Sequence, residues 1–298
     1  MSAPEHRSYY GRPILKEPVW KPEVAWYLFT GGLSGALSSL GFAARLSGNE
    51  VLARRALILA GVVSAANPVL LITDLGRPLR FLNMLRVFKV TSPMSVGSWI
   101  VAAHGTTSGI SAGCEALGIL PRARLLADAA AGALGLGMST YTGALVADTS
   151  VPVWHEARRE LPFVFASGAA MTAGAAAAAA TPSRYAGPAR FLALTGAAGE
   201  LANVWAMEHR LGTFLAEPYH EGPSGRYGKV AQGLTVAGAA VLAVAGRRRA
   251  GAVAGAGLLL AAGALTRWSV FKAGFASARD PKYTVVPQRE RVEARAAG

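Results

Sequence analysis

Apolar runs of about twenty residues recur along this 298-residue chain, and nearly all of its charge lies in the short gaps between them. A helix needs about 20 such residues to cross about 30 Å of hydrocarbon. Eight runs qualify, at about 24–46, 53–75, 93–117, 125–147, 161–180, 186–212, 227–245 and 250–275. Only 16% of the residues are charged and 52% are hydrophobic. Soluble domains carry about 25% charged residues, so this chain has too few to coat a water-facing surface. The expected fold is all-α: a polytopic membrane protein of eight transmembrane helices.

The gaps set the organisation. A polar segment (1–23) precedes a first four-helix bundle (24–147), and a connecting loop (148–160) leads to a second four-helix bundle (161–275). A polar tail closes the chain (276–298). Within the first bundle, Leu79, Leu82, Leu85 and Phe88 mark one side of 79–89, while Arg80, Asn83 and Arg86 mark another. That pattern predicts a short amphipathic helix lying in the interface. Asn67-Pro68 interrupts the second run, and a proline there frees a backbone carbonyl for another partner. Gly31 and Gly35 form a GxxxG pair that lets a second helix come close. The first 22 residues contain no apolar signal segment, so the first span is expected to direct insertion.

An even number of spans puts both termini on one side. That side carries the larger share of Arg and Lys, which favours cytoplasmic termini. The net charge of +13 arises in loops and headgroup positions, and no basic stripe is interleaved with aromatics, so nucleic acid is not the expected partner. A single cysteine, Cys114, closes no internal disulfide and cannot ligate a cluster by itself. Haem would ask for two histidines facing each other across the bundle. His6, His155 and His220 fall outside the runs, and His104 and His209 differ in depth by several turns. The chain has no phosphate-binding glycine loop, HExxH or hydrolase elbow, so nothing indicates catalysis by it alone.

Polar groups inside a span are costly and mark function. Glu200 lies mid-span in GAAGELANVW, where a carboxyl is expected to take up a proton, relay it, or pair with Arg267 late in the eighth run. Asp128 near the start of the fourth run has no assigned role. Asp74 and Arg77 flank Leu-Gly in DLGRP, with Gly76 suited to a left-handed turn that ends the second helix. Such a turn brings a carboxylate and a guanidinium together at a membrane surface. Tyr141 in MSTYTGALVAD is expected slightly deeper than Asp74, and a buried phenol normally finds a partner.

These motifs together resemble the NrfD/PsrC family, the membrane subunits of polysulfide reductase and related molybdopterin oxidoreductases. The resemblance runs from WYLFTGGLSG through DLGRPLRFLNMLRVFKVTSPMSVGSW, YTGALVA, the PVW…LPFVFASGAA junction and Glu200 to RWSVFKAGFASA. It implies a haem-free anchor without an iron–sulfur cluster of its own, set in the bacterial inner membrane. Such an anchor exchanges electrons between a quinone (menaquinone or ubiquinone) and a ferredoxin-like iron–sulfur subunit, which serves a molybdopterin catalytic subunit. On that resemblance Asp74, Arg77 and Tyr141 line the quinone pocket, with His155 and Arg158 as weaker members. Glu200 and Arg267 are the candidate proton relay. A secondary transporter or proton-conducting protein remains an alternative, because Asn67-Pro68 and Glu200 are features that transporters share.

Overall fold

The computed structural model describes residues 14–296, and every regular element among them is helical. In chain order these are α1 (Pro22–Leu46), α2 (Glu50–Asp74), α3 (Phe81–Met84) and α4 (Pro93–Leu117). There follow α5 (Pro121–Ala147), α6 (Pro152–Glu156), α7 (Leu161–Ala180), α8 (Gly187–His220), α9 (Gly222–Ala245), α10 (Arg249–Arg279) and α11 (Lys282–Ala296). The boundaries follow local chemistry. Proline opens α1, α4 and α5 at the position where its missing N–H costs nothing. The Asn49 side chain accepts from Leu52 N–H to cap α2, and Gly118 closes α4 with φ of 68°.

Of the long helices, α2, α7, α9 and α10 are long and apolar enough to cross a membrane by length and composition. The least exposed long helix is α1. It packs against α2, α5, α7 and α10, so protein rather than lipid covers its serines and glycines. The GxxxG pair of α1 serves this packing. A Cβ on Gly35 would stand 2.6 Å from the Gly135 carbonyl oxygen of α5, so only glycine permits that approach. Around α1, α4 packs on α2 and α5, while α7, α8, α9 and α10 pack in sequence with α10 returning to α7.

The structure corrects several expectations. The amphipathic segment 79–89 is not one helix: a single 3-10 turn (Pro78–Arg80) runs into the four-residue α3, and the chain is irregular beyond it. There Ser95 Oγ takes the Lys89 N–H at 3.0 Å and donates to the Val87 carbonyl at 3.1 Å, so the start of α4 claims the groups a longer helix would use. Gly76 is not left-handed; α2 ends because Leu75 is already extended, with ψ of 130°. Pro68 does not break α2, which continues through it to Asp74. The break lies elsewhere, at Gly212, whose φ of 69° and ψ of 177° divide α8 near the end of the sixth apolar run.

The connecting loop and the tail also carry structure. The loop contains α6, and Val153, Trp154 and Ala157 there are fully buried, so its apolar face is packed core while His155, Arg158 and Arg159 stay exposed. The tail is helical as α11, and α10 runs on to Arg279. Residues 1–13 of the polar N-terminal segment, His6 among them, lie outside the described residues.

Candidate functional site

One end of the bundle gathers most of the sequence candidates, and the segment entering α1 ties them together. Lys21 donates its backbone N–H to Asp74 Oδ1 at 2.9 Å and its ammonium to the Thr73 carbonyl at 3.2 Å. Immediately before it, the Trp20 ring stacks on Trp154 at 5.4 Å. Trp154 itself is fully buried and donates its indole N–H to the Val270 carbonyl of α10 at 2.7 Å. The C-terminus of α2, the entry to α1, the α6 loop and the last turns of α10 thus meet at one end. Arg77 does not complete the expected pair with Asp74. It is exposed, the extended chain at 75–77 carries it away, and Lys21 stands in its place.

Tyr141 reaches the same end from α5. It lies six residues before the helix terminus at Ala147, about 9 Å deep at 1.5 Å per residue. Its ring occupies the space where a Cβ of Gly97 would be, so the glycine of SVGSW in α4 is the seat for that phenol. The Tyr141 hydroxyl makes no hydrogen bond among the described residues. Neither does the buried hydroxyl of Tyr27 on α1, and the two phenols lie within electrostatic reach of each other. No direct contact joins Tyr141 to Asp74. What the structure provides is a half-buried carboxylate at the end of α2 and a free phenol more deeply placed on α5, two helices that both pack on α1 and α4.

His155 and Arg158 sit apart from that pair. His155 is exposed and lines a cavity of about 300 Å³ with Leu15, Thr149, Pro152 and Tyr283, a cavity that neither Asp74 nor Tyr141 lines. Arg158 is also exposed and donates to the His155 carbonyl at 3.1 Å.

The wall of this cavity formed by α11 is clasped to the segment beyond the Gly212 break. Lys282 Nζ stands 2.8 Å from Glu217 Oε2, and the Tyr283 hydroxyl donates to the same oxygen at 2.8 Å. These two hydrogen bonds hold the Glu217 carboxyl below the usual carboxylate range. Burial, followed by the bond to Glu217, pushes the Tyr283 phenol up to about 12. Nearby, the hydrogen bonds from Arg279 hold the Glu17 carboxyl low, linking the N-terminal segment to the end of α10.

Glu200 and Arg267 come together in the second bundle. Arg267 Nη1 lies 3.6 Å from Glu200 Oε1, and both side chains are 3% exposed, so Arg267 does not reach towards headgroups. The guanidinium also donates to the Phe165 carbonyl at 2.8 Å and lies over the Phe165 ring at 4.1 Å. Gly168 of α7 makes room for the pair: a Cβ there would stand 2.5 Å from Glu200 Oε1 and 2.9 Å from Arg267 Nη2. Neither Glu200 oxygen accepts a hydrogen bond of ordinary geometry.

Sequence reasoning missed a second buried charge cluster. Asp128, without an assigned role in the sequence, is fully buried, 2.6 Å from Arg45 Nε and 2.6 Å from Ser111 Oγ. Arg45 also pairs with Glu115, whose side chain is 3% exposed. The signal was present as spacing: Ser38 and Arg45 fall seven apart on α1, and Ser108, Ser111 and Glu115 repeat at three and four on α4.

A family model described as polysulphide reductase, NrfD, matches residues 14–276, and the chain belongs to that family. No curated protein matches the chain.

Proposed function

We propose that this NrfD-family membrane subunit spans the bacterial inner membrane eight times and works as the quinone-reactive anchor of a polysulfide-reductase-like complex. The observation that carries the reading is the free Tyr141 hydroxyl, seated against Gly97 at the end of the bundle where Asp74 lies half-buried. A quinone head needs a hydrogen bond at each oxygen and a route for two protons. Tyr141 offers a donor, and Asp74 offers a carboxylate near the surface that can take or return a proton. Arg77, carried away from Asp74 by the extended chain, belongs with His155 and Arg158 to the outer rim of the same end. Oxidising a quinol to a quinone releases two electrons and two protons. This chain's residues handle the protons, and the electrons leave to a ferredoxin-like iron–sulfur subunit docked on that face and then to a molybdopterin subunit. Glu200 and Arg267 form a second proton-exchanging pair in the other bundle.

The transporter alternative has less support. It leaned on a helix broken at Asn67-Pro68, and α2 passes through that dipeptide unbroken.

Titrating the purified chain with a menaquinone analogue, read by tryptophan fluorescence, tests the pocket. Tyr141→Phe removes one donor worth about 0.5–1.5 kcal/mol, so affinity should fall by about 2- to 12-fold. Unchanged affinity would remove Tyr141 from the pocket. Gentle detergent purification of the tagged chain tests the partners: recovery of iron–sulfur and molybdopterin subunits is expected, and recovery of the chain alone would overturn the anchor reading.

A further inference from the structure

The end of the molecule opposite Asp74 has no part in the quinone proposal, and its charge is one-sided. Four short connections meet there, at 47–49, 118–120, 181–186 and 246–248. In and beside them, over 45–55, 115–128, 184–190 and 247–249, lie ten arginines, three carboxylates and no lysine. The carboxylates are all taken: Glu50, Glu115 and Asp128 each pair with Arg45, and Glu115 also meets Arg124. Arg54 and Arg55, adjacent on α2, are exposed and have neither an ion pair nor a hydrogen bond among the described residues.

These two arginines line a cavity of about 450 Å³. Its other walls are Ile58 and Leu59, one turn further along α2, and Ala180, the last residue of α7. Arg249 donates to the carbonyl of the neighbouring Ala179, which brings a third guanidinium to this corner. Thr181, next after Ala180, is 1% exposed and its hydroxyl has no partner. The corner therefore holds unused donors and no free acceptor of matching charge.

An arginine that only snorkels lays its stem along apolar surface and ends in open water. Arg54 and Arg55 instead stand over a concave space whose remaining walls are apolar. They also lie near the amino end of α2, the positive end of its dipole, so the helix does nothing to offset their charge. A guanidinium fork matches two phosphate oxygens at once, a geometry that an ammonium lacks. Below the arginines the apolar surface continues. Arg54, Ile58, Val62, Ala65 and Val69 follow at steps of three and four and share one face of α2. Val62, Ala65 and Val69 are exposed, and only a third of the apolar window of this helix is buried. From Arg54 to Val69 that stripe runs about 22 Å at 1.5 Å per residue, longer than the roughly 15 Å of hydrocarbon in one leaflet.

We propose that the cleft between α2 and α7 binds one anionic phospholipid. Its phosphate sits between Arg54 and Arg55, its headgroup lies against Ala180, and an acyl chain follows Ile58 and Val62 down α2. An anionic headgroup is favoured over a zwitterionic one, because every carboxylate that could receive an ammonium is engaged by Arg45 and the surplus arginines repel it. Since α2 belongs to the first bundle and α7 to the second, the bound lipid ties the two together. The site shares no residue with the quinone pocket.

The test uses the full chain, delipidated in a neutral detergent and titrated with phosphatidylglycerol, with phosphatidylcholine of the same chain length, or with inorganic phosphate. Bound lipid is counted by native mass spectrometry, and thermal unfolding is followed by circular dichroism. One phosphatidylglycerol should bind in preference to phosphatidylcholine and raise the unfolding temperature. The double variant Arg54→Gln with Arg55→Gln should weaken that binding by about 30-fold, taking each arginine at its usual worth beside an anionic lipid. Ala180→Phe fills the cleft without changing charge and should abolish the preference. Arg122→Gln with Arg247→Gln, exposed at the same end but outside the cleft, should keep it. Equal binding of the two lipids overturns the proposal, as does displacement of phosphatidylglycerol by inorganic phosphate at equal concentration, which marks a site for a free anion. An equal loss in the Arg122 and Arg247 variant overturns it too, because diffuse surface charge then accounts for the binding.

Discussion

Replacing Arg267 by Met tests whether Glu200 is a partnered carboxylate or a lone one. In the native protein the guanidinium faces Glu200 at 3.6 Å, donates to the Phe165 carbonyl and covers the Phe165 ring. Arg267→Met leaves a carboxylate that is 3% exposed and has no hydrogen bond, and stranding one half of a buried pair costs about 3–5 kcal/mol. Glu200→Gln is milder, because Arg267 keeps its carbonyl bond and its ring contact. Hydrogen bonds to charged groups are worth about 1.5–3 kcal/mol, so the retained contacts offset much of the loss. The double variant Glu200→Leu with Arg267→Met removes both charges, and such replacements are often neutral or stabilising by about 1–4 kcal/mol. Unfolding of each variant in one detergent, followed by helical circular dichroism, should rank Arg267→Met least stable, with the double variant restored towards wild type. The Arg267→Met penalty should shrink as pH is lowered, since a protonated carboxyl carries no charge. A double variant no better than Arg267→Met would refute the coupling.

Asp74→Asn should lower quinone turnover by the assembled complex while the chain still reaches the membrane; full turnover would remove Asp74 from the site. Gly97→Ala should displace the Tyr141 ring that fills its Cβ position, weakening quinone binding at least as much as Tyr141→Phe in the same fluorescence titration. The α11 clasp should respond to pH at both extremes, read by hydrogen exchange of residues 282–290. The folded-state value of Glu217 is lowered, so its contribution holds above the ordinary carboxylate range and is lost as pH falls through the lowered value. That of Tyr283 is raised to about 12, so its contribution holds below about 10 and is lost as pH rises towards 12. Equal protection of α11 at acid, neutral and strongly alkaline pH would refute the clasp. Gly168→Ala should push Glu200 and Arg267 apart and lower thermal stability in detergent, whereas Gly109→Ala, in open space on α4, should not.

The helices were legible because the cost of an unpaired backbone in hydrocarbon enforces long apolar runs, and composition records that cost directly. Even so, the runs were read as if every helix met lipid. α1 shows why that simplification misleads: its serines and glycines are covered by α2, α5, α7 and α10 rather than by lipid. The ends were harder. Whether 79–89 forms a helix was decided by Ser95, a residue outside the segment, and whether Asp74 pairs with Arg77 was decided by Lys21, far away in sequence. Periodicity carries no information on partners of that kind. Trp154 was hidden for the same reason, since a tryptophan in a charged loop gives no sign that it will be sealed beneath Trp20.

Buried charge was read one residue at a time, and that is where the reading lost most. Glu200 stood out because it is isolated in an apolar run, and its partner was guessed correctly. Arg45, Glu115 and Asp128 each lie near the end of a run, where a charged residue reads as one facing headgroups. The antiparallel turns between α1 and α2 and between α4 and α5 bring these three ends to one place, and burial converts three ordinary terminal charges into a single sealed cluster. Burial also makes the cluster informative. An exposed pair contributes about 0–1 kcal/mol and would signal little. A sealed one is held against a desolvation cost of several kcal/mol per ion.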